Sequence, residues 1–476
     1  MLQAGHITDY LKRHADQSPA KLALVCEDES LSFEELYERV VAASEFLAPK
    51  LKSDEQQIVA LLMPNTWECV VSYLAVIHAG HIAMPVDVIY KPLEIGAVLH
   101  QIPPALVISD SKNIPRIQHI DAPIINADSL PLKSAQQDRE YLRQPADTQI
   151  ASLLFTSGTT GNPKAVPYTH ANHIWNIKVC SEVWDWTQND SLLISLRLSH
   201  MHGLVMGLSG ALYHGNTLYL QDGFSVEKTL ELLASGKISF FTHASLAYYK
   251  LLEAKGRYDL SKVRICVSGA APLPPAIWHR FKKRFGVEIV ETYGTTETGR
   301  IAANTLTERK LGSPGRPLPE VGIKIDTTGE VLVKSPGLFP GYYKNSDATR
   351  KSLTADGYWR TGDLGELSGG QVVLKGRTQE RIRKQGYTIS PRDIEWALHN
   401  NPRIKEILVM GVQNHSEPSD KIVYFLTGNI TKEELNKFSK DNLPSVWRPD
   451  EVFILDKLPR NRSGKPELSK LREMLT

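Results

Sequence analysis

Through the first two-thirds of the chain, short β-rich apolar runs alternate with helical patterns, and this alternation limits the architecture more than any other feature. The runs Ile58 to Leu62, Leu106 to Ser109, Leu192 to Ser195, Ile238 to Thr242, Val263 to Ser268 and Val287 to Thr292 are bounded by turn residues and read as strands. Cys69 to Ala79 reads as a buried helix, with Gly80 placed to cap its C-terminal end. Strands and helices in such succession build parallel sheets with helices on their faces, so the class is α/β. After Gly312 the pattern changes. Ile323-Lys324-Ile325 and Val331-Leu332-Val333 flank a turn at Thr327-Thr328-Gly329, and a second hairpin-like pair surrounds Gly369-Gly370. Ser390-Pro391-Arg392-Asp393 then opens a helix: serine at the N-cap, proline at the first helical position and an acid in the first turn. The end of the chain reads as a small α+β unit, parted from the larger body near Arg377 to Glu380.

Length and composition narrow the function. The 476 residues leave room for a large core and more than one domain. A net charge of +2, with 42% hydrophobic and 23% charged residues, gives no reason to invoke nucleic acid or an anionic membrane as a partner. Cys26, Cys69, Cys180 and Cys266 show no paired spacing, which fits reduced thiols. The segment Met1-Leu2-Gln3-Ala4-Gly5-His6 lacks the charged and apolar regions of a signal peptide, and no apolar run is long enough to span a bilayer. The expected location is cytoplasmic.

The chemistry starts at Phe155-Thr156-Ser157-Gly158-Thr159-Thr160-Gly161-Asn162-Pro163-Lys164, entered from the apolar run Ser152-Leu153-Leu154-Phe155. Glycines permit a tight turn, hydroxyls and successive N–H groups line it, and a lysine closes it, which together make a concave anion site. It is not a Walker loop, because Pro163 precedes Lys164 and Ala165 follows. Tyr293-Gly294-Thr295-Thr296-Glu297, Tyr358-Trp359-Arg360-Thr361-Gly362-Asp363, Gly376-Arg377 and Ser463-Gly464-Lys465 come after it in order. With these motifs the chain resembles, from about Ile7 to its end, the adenylate-forming superfamily of acyl-CoA synthetases, peptide-synthetase adenylation domains and luciferases. The resemblance implies a large N-terminal domain of helix-covered sheets with a small β-barrel-like subdomain, residues 1–378. A small mobile α+β lid, residues 379–476, would follow.

The same resemblance gives the motifs their roles. The loop, from Thr156, Ser157, Gly158, Thr159, Thr160 and Gly161 to Lys164, would hold the β- and γ-phosphates of ATP. Glu297 would bind Mg²⁺, since a carboxylate beside a triphosphate needs an intervening cation. Thr296 would lie at a phosphate oxygen, with Gly294 and Thr295 beside it. Tyr293 and Gly269-Ala270-Ala271 would bracket adenine. Asp363 would accept hydrogen bonds from the ribose, with Arg377 a second ribose or phosphate ligand. Lys465, which alone would read as a solvated lysine, would bridge the acyl carboxylate and the α-phosphate and stabilise the adenylation transition state.

The acid pocket carries departures from the family pattern. In Arg197-Leu198-Ser199-His200-Met201-His202-Gly203, His200 would gate the acyl pocket, and no acid follows it to hold an α-ammonium, so an acid with a free α-amino group is disfavoured. Arg197 stands where proline is common and His243 where an apolar residue is usual. Arg197, His200, His202 and His243 in one wall would suit a polar or anionic tail, or Arg197 could turn away into a backbone network. Gln379 replaces the usual aspartate or lysine at the hinge, which would alter the balance between lid positions. The expected product is a thioester made through an acyl-adenylate. Coenzyme A is the first choice of thiol because no carrier module is attached. The phosphopantetheine of a separate carrier protein is the second, because Arg383-Lys384-Gln385-Gly386-Tyr387 lacks the paired glycines of coenzyme-A-forming members. A non-catalytic nucleotide-binding relative and a luciferase-like oxygenase are the readings of other classes.

Overall fold

The structure is a computed structural model that describes residues 5–27, 29–52, 55–134, 146–156, 163–385, 387–413, 419–461 and 465–475. Five sheets organise these residues. One has six strands in the order Ile124–Asn126, Leu106–Ser109, Ile58–Leu62, Ile82–Pro85, Ile150–Thr156, Lys164–Thr169. All its neighbours are parallel except the final pair. The second has nine strands: Arg316–Pro317, Gly299–Ala303, Val290–Thr295, Ile265–Gly269, Phe240–Ala244, Ser191–Ile194, Thr217–Leu220, Leu22–Val25 and Ser30–Ser32. Its interior strands are parallel and its ends are closed by antiparallel pairs. The alternation in the sequence is thus distributed over two sheets.

Helix Trp67–His78 is buried from Cys69 to His78, as a helix apolar on all faces must be. Thr66 accepts a hydrogen bond from the Cys69 amide at its start. Ala79 caps its end and Gly80 follows at φ 80, so the glycine stop lies one residue beyond the cap. Cys69, Cys180 and Cys266 are buried, Cys26 is partly so, and all are free thiols.

Beyond Gly312, strands Gly322–Ile325, Glu330–Lys334, Trp359–Ser368 and Gln371–Arg377 form an antiparallel sheet. An isolated bridge from Val372 to Gly315 ties it to the large body. Gly369 at φ 60 and Gly370 at φ 78 make its last hairpin turn, a conformation in which glycine avoids the Cβ penalty at both positions. A short 3₁₀ turn, Thr378–Glu380, leads into the hairpin of Ile382–Lys384 with Tyr387–Ile389. Helix Pro391–His399 starts as its sequence expects, with the Ser390 hydroxyl accepting from the Asp393 amide. The remaining sheet joins Ile404–Val412, Lys421–Gly428 and Glu451–Ile454. This end packs against the large body: Lys405 pairs with Glu253, and a Cβ on Gly312 would lie 2.7 Å from the Trp396 ring. No helix among the described residues is long and apolar enough to cross a membrane.

Candidate functional site

Four distant segments converge beside the phosphate-loop hairpin. Thr156 ends one strand, Lys164 begins its antiparallel partner, and the two are paired in register. Ser157, Gly158, Thr159, Thr160 and Gly161 lie outside the described residues. Lys164 places its ammonium 4.8 Å from the centroid of the Tyr342 ring. The Tyr342 hydroxyl donates to Glu297 Oε1 at 2.9 Å, and the Phe339 amide donates to the Glu297 carbonyl. The loop lysine and the acid expected at the metal therefore share one aromatic neighbour. Tyr342 escaped the sequence reading, because nothing in Pro340-Gly341-Tyr342-Tyr343 marks it as functional.

The turn from Gly294 to Gly299 is tight. A Cβ on Gly294 would stand 2.1 Å from the Gly299 carbonyl oxygen, so only glycine fits there. Thr295 and Thr298 share hydroxyl and amide hydrogen bonds across it, and the Thr296 carbonyl accepts from the Tyr168 hydroxyl at 2.8 Å. Gly269 ends its strand, and Ala270 follows at φ 64, a left-handed conformation that costs an L-residue energy and turns the chain sharply. Ala270 and Ala271 are exposed, as the rim of an open site requires.

Tyr293 and Asp363 meet in the buried interior. The Tyr293 hydroxyl donates to Asp363 Oδ2 at 2.7 Å, and Arg377 Nε lies 2.9 Å from Oδ1. Burial pushes the Asp363 carboxyl up, while Arg377, the Tyr293 hydrogen bond and Lys465 oppose it, and the net direction is upward. A carboxylate offers about four acceptor sites, so these partners leave some free for another donor. Lys465 is within electrostatic reach of this pair. Its side chain retains exposed surface, yet the protein crowded around it lowers the ammonium pKa, and Arg377 acts in the same direction. Asp363, Glu297 and Glu380 pull the other way. Glu380 is a member of this charge cluster that sequence reasoning passed over, its motif having drawn attention to Gln379 instead.

The expected acid-pocket wall divides. Arg197 Nε is 3.5 Å from Asp87 Oδ1 and its Nη1 is 3.6 Å from Asp222 Oδ1. His200 Nε2 is 3.3 Å from Asp87 Oδ2. Burial raises the Asp87 carboxyl, but the His200 hydrogen bond, the Ile89 amide and Arg197 outweigh it and hold the group below its ordinary value. An acid thus does lie beside His200, brought from a remote part of the chain, and Arg197 is committed to an ion-pair network.

His202 opens a π-helical stretch, His202–Ser209, whose first turn lies on the backbone of Leu196 and Arg197: a Cβ on Gly203 would stand 2.5 Å from the Arg197 carbonyl oxygen. His202 Nε2 shares a hydrogen bond with Thr242 Oγ1. Burial, with Arg300 and His243 adding to it, drives the His202 pKa far down, so its ring is neutral at pH 7. His243 follows Thr242 and points to the opposite face of the strand, where it packs against Phe224 and Phe241. Burial lowers its pKa to about 4. The grouping of Arg197, His200, His202 and His243 in one wall is therefore divided: Arg197 and His200 turn to Asp87, while His243, on the strand face opposite Thr242, still acts on the buried His202.

Comparison with known proteins identifies the family. Residues 11–343 match the family model for AMP-binding enzymes, and residues 393–465 match that for the AMP-binding enzyme C-terminal domain. A 2-succinylbenzoate–CoA ligase of Listeria monocytogenes is 30% identical over 483 residues, spanning 98% of this chain and 99% of that protein. An oxalate–CoA ligase of Arabidopsis thaliana is 30% identical over 503 residues, spanning 98% and 97% respectively. The solved o-succinylbenzoate CoA synthetase of Bacillus subtilis, in complex with its acyl-adenylate intermediate, is similar with a TM-score of 0.87 at 27% identity over 97% of each chain. The chain belongs to the AMP-binding enzyme family, and it is an acid–thiol ligase of the AMP-forming type.

Proposed function

We propose that the crevice between Lys164, Glu297, Asp363, Arg377 and Lys465 activates a small carboxylic acid with ATP and passes it to coenzyme A. An oxygen of the acid attacks the α-phosphorus, the bond to pyrophosphate breaks, and an acyl-adenylate forms. The coenzyme A thiol then attacks the acyl carbon, and AMP leaves with the acid's oxygen. The observation that carries this reading is the convergence of Glu297, Asp363, Arg377 and Lys465, from well-separated parts of the chain, into one electrostatically linked cluster.

Each residue has a task that its setting permits. Asp363, oriented by Tyr293 and Arg377, has acceptor capacity left for ribose hydroxyls. Lys465 carries the charge that offsets the meeting of carboxylate and α-phosphate. Thr156 and Lys164 frame the phosphate end. For the metal, no group of three or more His, Cys, Asp or Glu among the described residues could hold an ion, but Glu297 offers a carboxylate with one oxygen committed to Tyr342. That fits Mg²⁺, which commonly takes one or two carboxylates and completes its shell with phosphates and water. When bound it would neutralise phosphate charge. Residues 1–378 would form the adenylation body and residues 379–476 a lid turning at Gln379, bringing Lys465 in for the first step. The cytoplasm is the proposed location.

A panel of carboxylic acids supplied with ATP tests the reading, assayed for pyrophosphate, AMP and thioester. Coenzyme A and purified acyl-carrier proteins are offered in parallel. Pyrophosphate and AMP released together with an acyl-CoA supports it. Thioester found only on a carrier protein would replace the acceptor, and no AMP with any acid would overturn the function.

A further inference from the structure

Arg300 is the anomaly of the molecule. It follows the Thr295 to Gly299 turn in the strand Gly299–Ala303 and is only 3% exposed. Its Nε and Nη2 are buried without a hydrogen-bond partner, and among the described residues no carboxylate pairs with it. Its backbone is pinned by the Asn176 side chain, which accepts from the Arg300 amide at 2.7 Å. Burial lowers its pKa, but a guanidinium starts so high that it stays charged at neutral pH. A buried lone cation is costly, and such a group is retained where an anion arrives to pair with it.

The surroundings indicate where that anion would sit. A Cβ built on Gly269 would meet His202 Cε1 at 3.3 Å, Thr292 Cγ2 at 3.3 Å and Arg300 Nη1 at 3.4 Å. These groups therefore pack closely about Gly269, at the C-terminal end of a parallel strand. In open α/β sheets that end is where ligands bind. His202 is neutral there, and when its Nε2 accepts from the Thr242 hydroxyl its Nδ1–H is left to donate beside the guanidinium. The place adjoins the adenylation cluster: Arg300 follows the turn that carries Glu297, and Tyr168, bonded to the Thr296 carbonyl, is within electrostatic reach of both. Arg197, the other arginine of this region, is already paired with Asp87 and Asp222.

We propose that Arg300, with His202 beside it, holds a second carboxylate of the acid substrate, so that the enzyme selects dicarboxylic acids. This inference rests on the acid–CoA ligase reading, with Lys465 handling the carboxylate that reacts and Arg300 the one that does not. A side chain at 269 would crowd His202, Thr292 and Arg300.

The test is the ratio of kcat/KM for a short dicarboxylic acid to that for the monocarboxylic acid of equal chain length, measured across several lengths with saturating ATP and coenzyme A. The wild-type ratio should exceed one at some length. A charged hydrogen bond lost in Arg300→Gln should lower that ratio about ten- to a hundredfold. Arg300→Lys, which keeps charge but not the fork, should fall between. Arg300→Met should melt no lower than wild type in the absence of substrate, since it removes an unpaired buried charge. A wild-type ratio of one or less at every length overturns the proposal even if no variant folds, as does an unchanged ratio in Arg300→Gln. Either result leaves the ligase reading standing as long as acyl-CoA and AMP are made. Failure to make them with any acid removes both.

Discussion

Tyr293→Phe isolates a single hydrogen bond at the nucleotide side. The Tyr293 hydroxyl donates to Asp363 Oδ2 at 2.7 Å, and both residues are buried, at 8% and 7% exposure. Loss of a hydrogen bond to a charged acceptor is worth about 1.5–3 kcal/mol. Asp363 keeps Arg377 on its other oxygen, which places the expected loss near the lower figure. If Asp363 binds the ribose, the KM for ATP should rise roughly tenfold, with a smaller change for the acid. Stability should show a pH signature. The Asp363 pKa is already raised by burial, and the Tyr293 hydrogen bond lowers it, so the variant raises it further. An acid with a raised folded pKa weakens the fold in full above that pKa, and the penalty fades as pH falls from the folded value to the unfolded one. The melting-temperature gap between variant and wild type should therefore be present at neutral pH and close in acid. A double-mutant cycle with Asp363→Asn, reading ATP affinity and melting temperature, measures the coupling directly. Additive effects, with no coupling and no closing of the gap in acid, would refute the claim that Tyr293 orients Asp363.

Other perturbations address the remaining parts of the crevice. Lys465→Ala should nearly abolish adenylate formation yet leave thioester formation from supplied acyl-adenylate largely intact, and loss of both half-reactions together would argue for a structural role. Glu297→Gln should raise the Mg²⁺ concentration needed for half-maximal rate while changing thermal stability little, since an amide is a poorer ligand for a hard cation. Arg197→Leu should lower the melting temperature by leaving Asp87 with fewer partners, and should leave the ranking of acids as in wild type. A shift of that ranking toward apolar acids would return Arg197 to the acyl pocket.

Much of the fold was legible because the signals are local. Glycine after Ala79, paired glycines at 369 and 370, and the Ser390-Pro391 start each act within a turn, and each is found where the pattern expects it. The division of strands between sheets was not, since a parallel strand looks alike wherever it pairs. Site residues follow the same rule. Thr156, Lys164, Glu297, Asp363, Arg377 and Lys465 stand in compact motifs that can be read in order. Asp87, Tyr342 and Arg300 matter through contacts made across the chain, and no spacing announces them. Arg197 and Arg300 illustrate the difference. Neither is marked by its neighbours, Leu196 and Leu198 or Gly299 and Ile301, and only the structure shows that, among the described residues, one is ion-paired and the other is not. Likewise Thr242 and His243 are adjacent in sequence but face opposite sides of their strand.

The central claim is that the acid becomes bonded to the α-phosphate of ATP, and oxygen tracing tests it most directly. The acid is labelled with ¹⁸O in its reacting carboxyl group and turned over with ATP and coenzyme A, and the phosphate-bearing products are examined by mass spectrometry. The account predicts an ¹⁸O atom transferred from the acid to AMP, with pyrophosphate unlabelled. Label appearing in orthophosphate, with ADP as the nucleotide product, would contradict it.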